Sequence, residues 1–104
     1  MRNSKINEST QLATRVQNTM VKELTSCYPG IKNLGVKQAP FYVLLGARMP
    51  SILVEVGFIS NKEECKKLMS QKYRETLIQA IFKGIEKYAQ ALKAPDLTAE
   101  SNIF

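Results

Sequence analysis

From Ser9 to about Thr25, apolar residues fall at Leu12, Ala13, Val16, Met20, Val21 and Leu24, the three-to-four spacing of a helix with one buried face. The spacing predicts a helix over 9–25, with Asn7 or Ser9 as its amino-terminal cap and residues 1–8 as a polar loop. Tyr28-Pro29-Gly30 ends that helix, and the stretch to Gly35 reads as a connecting loop. The pattern then changes. Phe41 to Leu45 is aromatic and aliphatic, with Pro40 at a strand's first position, and Ile52 to Val56 is a β-branched, apolar run without alternation. Strands are therefore predicted over 41–45 and 52–56, the second buried on both faces. Only Gly46 to Pro50 separates them, too little for a parallel crossover, so they are expected to run in opposite senses.

Ser60-Asn61-Lys62-Glu63 has the form of a capping box, the serine bonding forward and the glutamate reaching back, which predicts a short helix over 61–69. Ser70 then caps a last helix over 71–92. Leu77, Ile78, Ile81, Ile85, Tyr88 and Leu92 form its expected buried stripe, while Ala80 and Gly84, one turn apart, leave room for close packing. Lys93 to Phe104, opened by Ala94-Pro95-Asp96, has no period and reads as a polar tail. The fold class predicted is α/β: a partial sheet of about two strands (41–45, 52–56) with three helices (9–25, 61–69, 71–92).

Length and composition narrow the picture. The chain has 104 residues, enough for one domain with one modest core. At 44% hydrophobic and 23% charged it is globular in character. Fifteen basic against nine acidic residues give a net charge of +6. The basic residues are scattered, with Lys66-Lys67 the one adjacent pair, so no stripe of the kind a nucleic-acid face requires is present and no nucleic-acid partner is expected. A solvated basic surface suits an anionic polymer such as a bacterial wall through long-range attraction. Cys27 and Cys65 lie too far apart for a metal knuckle or redox motif and are expected to be small buried hydrophobes, a disulfide being the lesser alternative. No apolar run approaches membrane-span length and the amino terminus lacks a secretion-type hydrophobic segment, so no membrane partner is expected and the chain, made as given, is expected in the cytoplasm.

The residue carrying the most chemical information is Glu55. It is the one polar member of the run Ile52 to Val56, which stops at Gly57. An ionised carboxylate buried without partners is prohibitively costly. A glutamate there either has donors waiting, serves chemistry beyond the end of the strand, or sits on an edge strand facing solvent; the pattern alone leaves these open. Glu63 and Glu64, at the start of a helix, are explained by the helix dipole.

Val36-Lys37-Gln38-Ala39, Phe41-Tyr42-Val43-Leu44, the block from Met49-Pro50-Ser51 through Glu55-Val56-Gly57 to Ser60-Asn61, and Gly84-Ile85-Glu86-Lys87-Tyr88 resemble, in order and spacing, the carboxyl-terminal half of the zinc-dependent N-acetylmuramoyl-L-alanine amidases of bacterial cell walls. The resemblance covers most of residues 9–88 and implies that residues 1–92 are the carboxyl-terminal part of a mixed-sheet amidase domain, with 93–104 a tail. It also implies that Glu55 is the catalytic acid/base, that the substrate is peptidoglycan, and that the family's place of action is the periplasm or cell wall. In that family zinc is held by two histidines and a glutamate of the amino-terminal half. This chain has no histidine, so zinc belongs to the complete family domain and none is expected on this chain alone. Lys62 stands where relatives often have proline. Leu45 stands where many have an arginine, Arg48 falling three positions later, and a loop cation is the simpler reading of Arg48.

Three functions follow as expectations. The first is the carboxyl-terminal portion of an amidase that cleaves the bond between N-acetylmuramic acid and L-alanine, inactive alone. The second is a non-catalytic module binding cell-wall peptide or a protein partner, and the third a basic nucleic-acid binder, least supported because aromatic and basic residues are not interleaved. With sheet neighbours missing, self-association or pairing with the missing amidase half is expected.

Overall fold

A computed structural model of the chain describes residues 2–39 and 42–93. It contains α1 (Arg2–Cys27), a single 3-10 turn at Tyr42–Leu44, α2 (Lys62–Met69) and α3 (Gln71–Lys93). α1 begins seven residues before the predicted start, so most of the polar segment expected as a loop is helical. Ser9, expected as a cap, lies inside α1, where its Oγ accepts a hydrogen bond from the Ser51 N–H at 3.0 Å. Beyond Lys93, the expected tail lies outside the described residues.

The core is the seam between α1 and α3. Val16, Met20 and Leu24 from α1 pack with Tyr73, Leu77 and Ala80 from α3, and Leu12, Tyr28, Ile31, Ile52, Val54, Leu68 and Ile81 close over them. The helices run antiparallel. Tyr28, just past the end of α1, meets Tyr73 in the first turn of α3 edge to face, with ring centroids 4.9 Å apart, while mid-helix Val16 lies against Gly84. A Cβ at Gly84 would sit 2.6 Å from Val16 Cα, so the close packing anticipated from Ala80 and Gly84 is real. The α3 face that does this work is Tyr73, Leu77, Ala80, Gly84 and Tyr88, not the full stripe expected. Ile78, Ile85 and Leu92 are exposed, as is Phe82. The small residues drew the seam toward themselves and turned the larger aliphatics outward. Lys83 and Glu23 form an ion pair across the helices at 3.3 Å. Among the described residues, the buried Tyr88 Oη has no hydrogen-bond partner.

The α/β expectation fails. No strand occurs among the described residues. The predicted strand at 41–45 is, over Tyr42–Leu44, a 3-10 turn with no buried residue, followed by a turn in which the Leu45 N–H bonds to Tyr42 O at 3.1 Å. Residues 52–56 lack both helix and ladder, and no backbone hydrogen bond joins them to another segment among the described residues. Two short strands without further neighbours are not stable as a sheet in water, and helix packing instead gathers up the apolar side chains. The segment lies against the helix pair by one face only. Ile52 and Val54 pack on the core, while Leu53, Glu55 and Val56 point outward, so the run expected to be buried on both sides is half-exposed.

At Gly84 the collision with a backbone atom decides the outcome of substitution. Gly84→Ala gains about 1 kcal/mol of helix propensity, but overpacking against an atom that cannot swing away costs about 1–3 kcal/mol. Urea unfolding of Gly84→Ala is expected to show a net loss of stability, with the midpoint lowered. An unchanged or raised midpoint would show slack in the seam.

Candidate functional site

Two stretches of non-helical chain lie along α1 and leave a groove of about 940 Å³ over the helix pair. The first, residues 31–39, is pinned at both ends. Asn33 Oδ1 accepts from Gln17 Nε2 at 2.8 Å and from the Gly35 N–H at 3.0 Å, and Gln38 Nε2 donates to Thr10 Oγ1 at 3.2 Å. As the loop proceeds from Asn33 to Gln38, its partners step back along α1 from Gln17 to Thr10. The second, residues 51–57, starts from the Ser51–Ser9 bond and proceeds toward α2, which packs on the start of α3. The two stretches are therefore antiparallel to each other, with the groove between them.

Its far end is closed by α2. The cap is one residue later than predicted: Asn61, not Ser60, holds the first turn, its Oδ1 accepting from the N–H groups of Glu63 and Glu64 at 3.0 and 3.1 Å. The reach-back comes from Glu64, not Glu63, because its place relative to the cap moves with it. Glu64 Oε1 accepts from the Phe58 N–H at 2.8 Å. This tie fixes the turn at Gly57, whose φ of +145° disfavours a side chain and where a Cβ would lie 3.2 Å from Glu64 Oε1 and 3.5 Å from Leu68. The close approach at Gly57 is thus to α2. Glu64 has a further effect. Burial, then Tyr28, then the Glu64 carboxylate push the Tyr73 phenol above its ordinary value.

Glu55 lines the groove and is exposed. It makes no hydrogen bond or ion pair to any described residue, leaving its carboxylate available to a ligand. Glu63 and Glu64 line the same groove from α2, and Lys32, Lys37 and Lys67 supply cations. Lys32 and Lys37 were not singled out in the sequence, because each stands isolated along the chain and only the pinned loop gathers them, whereas Lys67, of the adjacent pair Lys66-Lys67, comes from α2. Arg48 is exposed and does not line the groove. Cys27 is exposed and Cys65 half-buried, both as free thiols, so burial fails for Cys27, at the last turn of α1. Among the described residues no cluster of three or more His, Cys, Asp or Glu side chains has metal-holding geometry, and the groove's acids do not fit a zinc site. No helix among the described residues is long and apolar enough to cross a membrane.

Residues 1–87 match the sequence profile of a family described as N-acetylmuramoyl-L-alanine amidase. The chain is 38% identical over 80 residues to the uncharacterized protein YqiI of Bacillus subtilis (strain 168), covering 77% of this chain and 36% of that protein. It is also 38% identical over 80 residues to the N-acetylmuramoyl-L-alanine amidase LytC of the same organism, covering 77% of this chain and 15% of that one. To the N-acetylmuramoyl-L-alanine amidase AmiC of Escherichia coli O6:H1 it is 45% identical over 53 residues, 51% of this chain and 13% of AmiC. The chain thus spans 36% or less of the length of each of these relatives. No solved structure matches it.

The Glu64 tie separates two neighbouring acids. Glu64→Ala is expected to lower stability by about 1–2 kcal/mol, from the lost charge-assisted bond to Phe58, and to speed hydrogen exchange at the Phe58 amide. Glu63→Ala, whose side chain makes no such bond, is expected to change either reading little. Equal effects would contradict the assigned cap.

Proposed function

The chain belongs to the N-acetylmuramoyl-L-alanine amidase family, and from that membership we propose that residues 1–92 are the carboxyl-terminal part of a peptidoglycan amidase domain with Glu55 as its acid/base. The observation that supports this most is the position of Glu55: it stands on an extended arm, unengaged, in the wall of a groove large enough for a peptide. Cleaving the amide between a lactyl group and L-alanine requires a proton to leave the attacking water and a proton to reach the departing nitrogen, and one carboxylate can carry the same proton through both steps. The Glu55 carboxylate performs both transfers, accepting the water's proton as the tetrahedral intermediate forms and delivering it to the amine as the C–N bond breaks. Exposure lets it reach substrate, and Gly57, held by Glu64, fixes the arm that carries it.

Zinc is the cofactor of the complete domain in this reading, supplied with ligands from outside this chain, because the acids here do not fit a site for it. The chain alone is then inactive. Apolar side chains left open on the arm and on α3, among them Leu53, Val56, Ile78, Phe82 and Ile85, are surfaces for the remainder of the domain or, in its absence, for a second copy. The place of action is the cell wall or periplasm.

The test joins this chain to a histidine-bearing amino-terminal half of the family. Glu55→Gln in the joined protein is expected to abolish turnover of labelled cell walls while metal content and melting temperature stay nearly unchanged. Glu63→Gln is expected to leave the rate almost untouched. Activity retained in Glu55→Gln would refute the assignment.

A further inference from the structure

The groove holds a hydrogen-bond donor that nothing in the protein uses. Tyr73, in the first turn of α3, lines the groove although the residue is only 5% exposed. Its backbone N–H is bonded to Ser70 Oγ at 3.3 Å, and its ring is fixed edge to face against Tyr28 with centroids 4.9 Å apart. The hydroxyl itself has no hydrogen-bond partner among the described residues. Tyr88 Oη shares that lack but is sealed from water, which the Tyr73 oxygen is not. The small opening that Tyr73 retains therefore gives its hydroxyl onto the groove. A phenol with an ordinary value near 10 keeps its proton at neutral pH, and burial, then Tyr28, then Glu64 push this one higher. The group is thus a donor on a ring already held in place, so little conformational freedom is lost when it is used.

Its surroundings decide which acceptor it takes. Glu64 is held at this end of the groove by its bond to the Phe58 N–H at 2.8 Å, and Glu63 lines the groove from the same turn of α2. Lys67 lines it one turn further along α2 and offsets one of the two carboxylates. An anionic ligand oxygen would meet the charge that is left, whereas a neutral carbonyl oxygen accepts from the phenol without that repulsion. Leu77, one turn along α3 from Tyr73, is buried and lines the same floor, an apolar neighbour suited to the carbon side of an amide.

We propose that Tyr73 is a ligand-binding residue whose phenol donates a hydrogen bond to the carbonyl oxygen of a neutral amide at the α2 end of the groove. That the amide belongs to a substrate rests on the amidase reading. Tyr73 orients the ligand and takes no part in proton transfer.

The test uses the 104-residue chain with its tyrosines isotope-labelled at Cζ, and it needs no turnover. Its failure is therefore distinct from failure of the amidase reading, which would appear as an inactive joined protein. The probes are N-acetyl-L-alanine N-methylamide, N-acetylglucosamine and acetate, each titrated to its solubility limit. The first two present a neutral amide on a peptide and on a sugar, and acetate presents an anionic oxygen of similar size. At least one amide is expected to move the Tyr73 Cζ resonance, assigned by its loss in Tyr73→Phe, and acetate to move it least; the tighter of the two amides identifies the source. Followed on the backbone amide resonances of the groove, binding of that amide is expected to weaken about three- to tenfold in Tyr73→Phe, the worth of one neutral hydrogen bond. Melting temperature and helical circular dichroism are expected to stay unchanged in the variant, because no bond within the protein is lost. A Tyr73 resonance unmoved by both amides, acetate bound as tightly as either, equal affinity in Tyr73→Phe, or a lowered melting temperature in that variant would each overturn the proposal.

Discussion

The structure depends on how closely α1 and α3 approach. Gly84 presents no side chain to Val16, and the missing Cβ would have met a backbone carbon at 2.6 Å. That approach draws Ala80, Leu77 and Tyr73 onto Met20, Leu24 and Tyr28, and it fixes the antiparallel sense of the pair. All else is arranged on that platform: the pinned loop 31–39 on α1, the arm 51–57 along it, and α2 at the head of α3.

The helices were legible because their signals are local. The 3.6-residue period in α1, the caps at Asn61 and Ser70, and the small residues of α3 act over one or two turns, and the structure uses each with small shifts of register. Tyr73 N–H still bonds to Ser70 Oγ, at 3.3 Å. The sheet was misread because a strand's stability is not local. Ile52 to Val56 has strand composition, but composition cannot supply neighbours, and among the described residues the segment has none to pair with. The apolar run then behaves as an extended arm, buried through Ile52 and Val54 and open at Leu53 and Val56. Phe41-Tyr42-Val43-Leu44 shows the same limit, its aromatic character spent on an exposed turn.

For the site, the sequence singled out Glu55 by its polarity within an apolar run and by the family-like block around it, and the structure sets Glu55 in the groove wall. Lys32 and Lys37 escaped notice since nothing in their spacing differs from surface lysines; only the Asn33 and Gln38 side-chain bonds distinguish them. Glu63 and Glu64 could not be told apart by pattern, because a one-residue shift of the cap exchanges their roles.

The proposed function rests on a division of labour, in which this chain would bring the proton-transferring carboxylate and the metal ligands would come from elsewhere. Zinc per chain after dialysis, measured beside dye release from labelled cell walls, tests that division most directly. The predicted result is no retained zinc and no release from this chain alone. One tightly held zinc per chain, with release that stops on chelation, would contradict it and would point to a ligand set within these 104 residues.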